Sequence, residues 1–246
     1  MSKSVHLPTN WMLDAHPELC STLPSVINII SELRNDPENS ELELRFGRIS
    51  NTGKFVAGVS LQDVEKFIAR LNTNVDIPQT DWAEHHDFFF PVDGVMTRQR
   101  TIFNINTLCI DSEVVQKVCV KQVVVRDEKS GNACRVALSK EFPVEMSRLP
   151  LSTTTNRVRI QQRKVYTWSS NGTAPQWQYE ISNTWSGDTR GDAETNKTNC
   201  APTYEFEIEA RHDQLLASKS DAYIAASLLL KATDFFSTPY SLCMHR

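Results

Sequence analysis

Residues 41–49 read ELELRFGRI, and this stretch decides the fold. Charged and apolar residues alternate in it, which is typical of a β-strand, because successive side chains leave opposite faces of a strand. Over residues 41–46, one face therefore carries the charged side chains of Glu41, Glu43 and Arg45. The other face is apolar, with Leu42, Leu44 and Phe46. The stretch predicts a strand whose charged face needs either water or a charged ligand.

Two further stretches carry a row of charged or polar side chains on one face. Residues 204–209 (YEFEIE) repeat the acidic pattern and place three glutamates on one face, Glu205, Glu207 and Glu209. Residues 156–163 (NRVRIQQR) form a basic counterpart, whose polar face carries Arg157, Arg159, Gln161 and Arg163. Both stretches predict strands, one mainly acidic and one mainly basic on its polar face.

The sorting of charge by sign points to a site rather than to a solvent face. A polar row on a single strand is usually the wet side of a half-buried sheet. Like charges along a strand repel each other, however, and a divalent cation removes that repulsion because carboxylates are preferred ligands of Mg²⁺ and Mn²⁺. If the first and last strands pair, four glutamates converge on one cation and the arginines across the interior face bound phosphates. The four are Glu41, Glu43, Glu207 and Glu209.

The rest of the chain supplies enough strands to close a barrel. Apolar periodicity predicts helices at 23–34, 60–71 and 221–236. Further strands are predicted at 87–92, 95–103, 114–126, 133–142, 156–169, 176–185 and 203–210. The fold class is therefore mainly β (α+β), a closed antiparallel eight-stranded β-barrel of the up-and-down kind with helices packed outside. A two-sheet sandwich is the alternative, and the charge pattern favours the barrel.

Size and charge limit the domain count and the kind of nucleic-acid contact. The chain has 246 residues, which suits one barrel-sized domain over 1–246, with a helical segment at 1–40, the barrel at 41–210 and a C-terminal helix at 211–246. The formal net charge is −4 and the pI about 5.9. A protein that grips long stretches of nucleic acid usually carries excess Lys and Arg. Contact with nucleic acid is therefore expected in a small pocket, such as one that holds a chain end.

Several other features of the sequence indicate no functional site. The six cysteines show neither CxxC pairs nor zinc-type spacing, which predicts free, mostly buried thiols in a reducing compartment. No signal peptide or membrane-spanning stretch is predicted. His85 and His86 are predicted as surface histidines, and residues 186–202 as a mobile loop. The apolar helix at 221–236 is expected to pack on its own barrel, with a dimer face as the alternative.

Five segments in order resemble the mRNA-capping RNA 5′-triphosphatases of the fungal, protozoan and DNA-virus type, in the triphosphate tunnel metalloenzyme superfamily. ELELRFG (41–47) resembles the first glutamate strand of that family and YEFEIEA (204–210) the closing one. The three between them are RVALSKEFP (135–143), NRVRIQQRKVY (156–166) and QYEIS (178–182). One ExExR motif alone is weak, whereas five segments in family order over most of the chain are specific.

The resemblance implies a role for nine residues. Three glutamates would bind Mg²⁺ or Mn²⁺ directly, namely Glu41, Glu43 and Glu209. Glu207 would hold a metal-bound water, and Glu141 would act as the general base that orients and deprotonates the attacking water. Four cations would contact phosphate, namely Arg100, Lys117, Arg159 and Arg163. Arg98 is an alternative to Arg100, and Lys121 is an alternative to Lys117.

Some positions depart from the family pattern. Gln161 stands where the basic strand usually has a lysine, and Arg157 or Lys164 is a candidate to supply the missing charge. In QYEIS, Glu180 and Ser182 stand where Asp and Thr are commoner, and Gln178 where Arg is. These departures affect the match between cations and phosphates. They leave the glutamates unchanged.

The resemblance implies metal-dependent hydrolysis of the γ-phosphate of 5′-triphosphate RNA, the first step of cap formation. No KxDG guanylyltransferase motif occurs, so the next step and a guanylyltransferase partner are expected in another protein. The expected location is the nucleus, or the cytoplasm if the source is a cytoplasmic virus. One alternative is a tunnel enzyme for tripolyphosphate, thiamine triphosphate or nucleotides, but such relatives typically carry ExExK where this strand ends in Arg45. The other is a catalytically inactive anion-binding barrel, against which the retention of every acidic position argues.

Overall fold

A computed structural model describes residues 17–73, 77–104, 109–127, 131–145, 155–168 and 176–236. Its helices are α1 (Pro17–Cys20), α2 (Leu23–Asn35), α3 (Leu61–Thr73), α4 (Arg190–Asn199), α5 (His212–Ser218) and α6 (Asp221–Phe236). Its strands are β1 (Ser40–Ile49), β2 (Phe55–Ala57), β3 (Ala83–Val92), β4 (Val95–Asn104), β5 (Cys109–Arg126), β6 (Asn132–Pro143), β7 (Arg157–Trp168), β8 (Trp177–Gly187) and β9 (Thr203–Ala210). Helix α3 begins after Ser60, whose hydroxyl accepts from the amide of Asp63 at 3.1 Å, as the sequence predicts.

Eight strands close into an antiparallel barrel, which confirms the predicted fold class. Their order is β1-β6-β5-β4-β3-β7-β8-β9, and β9 pairs back onto β1, while β2 extends the sheet beside β1. The order differs from an up-and-down barrel, because β1 lies beside β6 and β7 lies beside β3. Pairing between strands that are distant in sequence leaves no local pattern, so the alternation in each strand could not reveal this order.

On β1, β6, β8 and β9 the apolar faces point outward and are buried in the main core with the helices. Leu42 and Leu44 of β1 are fully buried in the main core, together with Ile30 of α2 and Leu228 and Leu229 of α6. Helix α6 therefore packs within its own chain, as expected. Burying the apolar faces outside leaves the charged faces of the same strands inside the barrel.

The predicted loop at 186–202 is wrong, because residues 190–199 form helix α4. A capping box starts the helix: the Thr189 hydroxyl accepts from the Asp192 amide, and the Asp192 carboxylate accepts from the Thr189 amide at 3.0 Å. Ala193 is fully buried in a small cluster with Val158 and Ile160 of β7. The cap and this contact outweigh the low helix propensity of the segment.

Two further expectations from the sequence are also wrong. His85 and His86 are buried, at 8% and 3% exposure. His86 lies outside the barrel wall against Glu84 (2.9 Å) and the ring of Phe103, whereas His85 shares the interior face of β3. None of the four cysteines that the structure describes is in a disulfide, but only one of them, Cys134, is buried. No helix in the described ranges has the length and apolar character needed to cross a membrane.

Candidate active site

The barrel encloses a cavity of about 200 Å³ that is lined entirely by charged side chains. Seven of the lining residues are glutamates and six are cations: Glu41, Glu43, Glu113, Glu141, Glu180, Glu207, Glu209, Arg45, Arg98, Arg100, Lys117, Arg159 and Arg163. All nine residues to which the sequence assigns a role lie in this lining. The structure thus brings together residues from seven different strands of the barrel.

The acidic wall of the cavity, Glu41, Glu43, Glu207 and Glu209, lies where the barrel closes. Strands β1 and β9 pair as the sequence predicts, with Glu43 opposite Glu209 and Arg45 opposite Glu207. Arg45 contacts Glu207 at 2.9 Å and Glu43 at 3.4 Å. Sequence reasoning placed Arg45 on this face without a role, and the structure shows it as an ion-pair partner within the acidic wall.

The carboxylates of the acidic wall differ in their electrostatic environment. Burial, together with the charges of Glu180 and Glu41, raises the pKa of Glu209 to about 8. Burial also raises the pKa of Glu41 to about 7, although Lys117 opposes the shift. Burial acts to raise the pKa of Glu207 as well, but Arg45 and then Arg163 lower it to about 2. Two of the four carboxylates therefore lack sufficient compensating charge.

The donor set of the acidic wall fits a hard divalent cation. Carboxylate oxygens are the ligands that Mg²⁺ and Mn²⁺ prefer, and burial, then neighbouring carboxylates, raise the pKa values of Glu41 and Glu209, so a cation bound here would favour their ionised forms. Among the residues that the structure describes, no three acidic, His or Cys side chains are close enough to hold a metal ion. Instead the Lys117 ammonium donates to Glu41 and lies 3.4 Å from Glu43.

The basic wall, Arg98, Arg100, Arg159 and Arg163, faces the acidic wall across the cavity. Its arginines lie on β4 and β7, which flank β3, and β3 stands opposite β1 in the ring of eight strands. Arg163 pairs with Glu180 of β8 at 2.8 Å. A ligand in the cavity would therefore have carboxylates on one side and guanidinium groups on the other.

Asp87 fixes two arginines of the basic wall, and sequence reasoning missed it. Its side chain is fully buried and accepts from Arg100 Nε at 2.7 Å and from Arg159 Nη2 at 2.7 Å. Burial opposes ionisation, but the two arginines hold the pKa of this carboxyl well below its usual range. Asp87 opens the predicted strand at 87–92, whose apolar run concealed it. The available signal was a lone carboxylate on the same strand face as His85.

Glu141, the predicted general base, lies between two cations. It faces Lys117 across the β5–β6 ladder, with 3.6 Å between Lys117 Nζ and Glu141 Oε1. Arg98 Nη2 lies 3.5 Å from the same oxygen and 3.4 Å from Glu113. Arg98 and Arg100 both line the cavity, so both are in position to contact a ligand there. The sequence did not predict Glu113 as a site residue, because the polar and apolar residues around it follow no clear pattern.

Solved structures share this fold. The S. pombe Pct1 RNA triphosphatase superposes with a TM-score of 0.65 over 89% of this chain and 93% of that chain, at 13% identity. The Mimivirus capping enzyme triphosphatase superposes with a TM-score of 0.55 over 86% of this chain and 96% of that chain, also at 13% identity. No family model and no curated protein matches the sequence. The chain has the RNA triphosphatase fold. The resemblance carried by the five segments and the structural likeness thus agree.

Within the RNA triphosphatase fold, a β-bulge separates Lys117 from Lys121. Both lysines would share a strand face in a regular strand, but the register of β5 against β6 shifts between Cys119 and Lys121. Lys117 therefore lines the cavity, whereas Lys121 points outward and lies 3.2 Å from Glu32 of α2. One inserted residue leaves no mark in the alternation of VVQKVCVKQVVV, so the sequence could not decide between them.

Gln161 is a neutral residue, and its side chain is fully buried in this fold. Its Nε2 donates to Thr184 Oγ1 at 3.2 Å. Neither candidate for the missing charge reaches the cavity lining: Arg157 donates to Ser186 at 2.9 Å, and Lys164 lies 5.3 Å from the ring centroid of Tyr166. The basic wall therefore has a neutral residue between Arg159 and Arg163.

Proposed function

We propose that the chain is a metal-dependent RNA 5′-triphosphatase that removes the γ-phosphate of 5′-triphosphate RNA and leaves a 5′-diphosphate end. The supporting observation is the pair of facing walls in one cavity of about 200 Å³. An acidic wall alone would suit a cation, and a basic wall alone would suit an anion. Together they suit a metal-bound phosphate chain, which carries both charges.

The acidic wall is the proposed metal site. Glu41, Glu43 and Glu209 would hold Mg²⁺ or Mn²⁺ directly, and Glu207 would hold a water on it. A divalent cation bound here supplies positive charge to the phosphate oxygens as negative charge develops on them. Because Lys117 contacts Glu41 and Glu43, its ammonium would move toward a phosphate once the cation is bound.

The basic wall is the proposed phosphate site. Arg100, Arg159 and Arg163 would donate to phosphate oxygens, and two of them are already oriented by Asp87. Donors that are fixed before the substrate arrives need little reorganisation in the transition state. The arrangement thus favours phosphoryl transfer, in which most of the catalysis is positioning and charge stabilisation.

Glu141 is the proposed general base. The water oxygen forms a bond to the γ-phosphorus, the bond from that phosphorus to the β–γ bridging oxygen breaks, and Glu141 accepts the proton of the water. The products are a diphosphate end and orthophosphate. Lys117 and Arg98, at 3.6 and 3.5 Å, would keep the Glu141 carboxylate in place.

The cavity volume bears on the substrate. Pockets that enclose a drug-sized ligand measure roughly 300–1,000 Å³, so a cavity of about 200 Å³ suits a phosphate chain with the nucleoside outside. The same observation favours a second candidate, hydrolysis of inorganic tripolyphosphate. The strand ending in Arg45-Phe46-Gly47 favours the capping branch, by resemblance.

The chain, as one catalytic domain over 1–246, would act just before an RNA guanylyltransferase, in the nucleus or in the cytoplasm of a virus-infected cell. Capping chemistry supports this order, because guanylyl transfer consumes a diphosphate end. Co-purification of a guanylyltransferase with the tagged chain from its source would support the association, and capture of unrelated proteins alone would count against it.

Phosphate release decides among these functions. The measurement uses γ-labelled triphosphate RNA, inorganic tripolyphosphate and ATP, each with Mg²⁺ or Mn²⁺ and with chelator. We expect metal-dependent release that is fastest from RNA and is lost in Glu43→Gln. Lys121→Ala, which lies outside the cavity, is the matched control. Release from tripolyphosphate but not RNA would establish the second candidate, and no release from any substrate would leave an anion-binding barrel.

A further inference from the structure

His85 lies on the interior face of β3, between the two strands that carry the basic wall. It pairs with Gln161 of β7 on one side and Ile102 of β4 on the other, and it is two residues from Asp87. Arg100 lies two positions before Ile102 on β4 and Arg163 two positions after Gln161 on β7, so these two arginines flank His85 on the neighbouring strands. His85 therefore lies between the two strands that carry the arginines of the basic wall, and it is one of six histidines in the protein.

Two polar atoms at this point lack partners. His85 Nδ1 and Gln161 Oε1 are buried and have no hydrogen-bond partner within the described parts of the chain. His85 is 8% exposed and Gln161 is fully buried. Buried polar atoms nearly always have a hydrogen-bond partner. Two such atoms without one, on residues that lie opposite each other in neighbouring strands, therefore call for an explanation.

The charges around His85 keep its ring neutral. Burial, then Arg163 and Arg100, lower the pKa of His85 to about 3, with Arg98 adding to the shift and Asp87 opposing it. Three of the four charged groups that act on the imidazole are therefore cations, contributed by β4 and β7. An anion held by these arginines would cancel their effect and favour the imidazolium.

We propose that His85 is a positioning residue of the phosphate site, which takes up a proton from solvent when an anion binds between Arg100 and Arg163. The imidazolium would add a positive charge to the basic wall next to the neutral Gln161, and only when the anion is present. No bond in the anion changes. The inference rests on the proposed function for the placement of the phosphates, but it does not require hydrolysis.

Proton uptake makes anion binding depend on pH. Linkage requires that an anion that favours the imidazolium binds more tightly as pH falls, by up to roughly tenfold per pH unit below the pKa of His85 in the complex. In the absence of an anion the ring stays neutral at the same pH. A neutral side chain at position 85 would remove this dependence and leave that of the rest of the cavity.

The test follows the ring by NMR with sulfate as the probe. Sulfate keeps its two charges between pH 5 and 8, unlike a terminal phosphate, and the protein is kept free of metal. The imidazole resonances are assigned by their loss in His85→Gln and His86→Gln. We expect the His85 resonance to remain that of a neutral ring down to pH 5 without sulfate, and to titrate within this range when sulfate is saturating.

Sulfate affinity gives a second readout that does not depend on the assignment. We expect it to rise as pH falls in the natural protein and in His86→Gln, the buried control on the outer face, and to rise less steeply in His85→Gln, where only the other groups of the cavity titrate. A neutral His85 resonance with sulfate bound, the same pH dependence in all three proteins, or no sulfate binding would each overturn the proposal. Sulfate is not hydrolysed, so a failed phosphate-release assay would leave this result standing.

Discussion

The two walls of the cavity differ in how their charges are balanced. In the basic wall, Arg100 and Arg159 share the buried carboxylate of Asp87, and Arg163 pairs with Glu180. In the acidic wall, Arg45 satisfies Glu207, whereas Glu41 and Glu209 have raised pKa values. The protein therefore fixes the geometry of the arginines in its basic wall by itself. In the proposed function, a divalent cation would complete the acidic wall.

The largest effect is expected where the basic wall is fixed. Asp87→Asn removes one partner of a buried charge network and should lower the free energy of unfolding by about 3–5 kcal/mol, because two buried guanidinium groups lose their counter-charge. Urea unfolding measures it. Glu113→Gln is the control, because Glu113 contacts Arg98 and Arg100 but is half exposed, and should cost less than about 1 kcal/mol. Equal losses in the two variants would show that Asp87 does not carry the network.

A substitution in the acidic wall should change the rate of phosphate release more than the stability of the fold. Glu43→Gln keeps the shape of a buried side chain but removes a proposed metal ligand and a counter-charge for Arg135, which lies 3.3 Å away. We expect phosphate release to slow by roughly 10²- to 10³-fold, as when one electrostatic stabiliser of a transition state is removed. A variant with natural folding and natural turnover would contradict the assignment of Glu43.

The carboxylates of the acidic wall should make the stability of the protein depend on pH. Burial raises the folded-state pKa of Glu41 to about 7 and of Glu209 to about 8, so the folded protein binds more protons than the unfolded chain between about pH 5 and 8. Stability of the metal-free protein should then fall as pH rises through this window, by about 1 kcal/mol per pH unit for each such group. Thermal unfolding at several pH values measures the slope.

One variant and one added cation sharpen the pH prediction. Glu209→Gln should flatten the slope, since its side chain carries no charge at any pH. Mg²⁺ should raise the unfolding temperature more at pH 8 than at pH 6, because protons compete with the cation for the carboxylates. If the free energy of unfolding of the metal-free protein rises with pH in this window, the pKa values of Glu41 and Glu209 are not raised in the folded state.

The smallest effect is expected outside both walls. Lys121 forms an exposed pair with Glu32, so Lys121→Ala should change stability by less than about 1 kcal/mol and leave turnover unchanged. Lys117→Ala, four positions earlier on the same strand, should lose at least tenfold in turnover, since one charged contact to a phosphate is commonly worth about 1.4 kcal/mol or more. Similar turnover in the two variants would show that the bulge in β5 does not separate them.

Alternation along single strands predicted much of the site. The rows on β1, β7 and β9 gave the interior faces and, once the first and last strands were taken to pair, a cluster of carboxylates facing arginines. Side-chain periodicity is a local property, so it can be recognised without the fold. The helices α2, α3 and α6 followed from the same kind of pattern.

Features that depend on contacts between distant strands were not predictable. The neighbours of β1 and β7, and the bulge that turns Lys121 outward, depend on registers that no single strand records. Asp87 and His85 lie in AEHHDFFF, where charged and aromatic residues do not alternate. Helix α4 is different, because Thr189 and Asp192 form a capping box that could have been found in the sequence.

The division between the two walls can be tested directly by crystallography with Mn²⁺ and a non-hydrolysable imidotriphosphate. We expect an anomalous scattering peak among Glu41, Glu43 and Glu209, with the phosphate chain against Arg100, Arg159 and Arg163. A metal bound elsewhere, or a phosphate chain outside the barrel while the cavity keeps its Lys117–Glu41 contact, would contradict it.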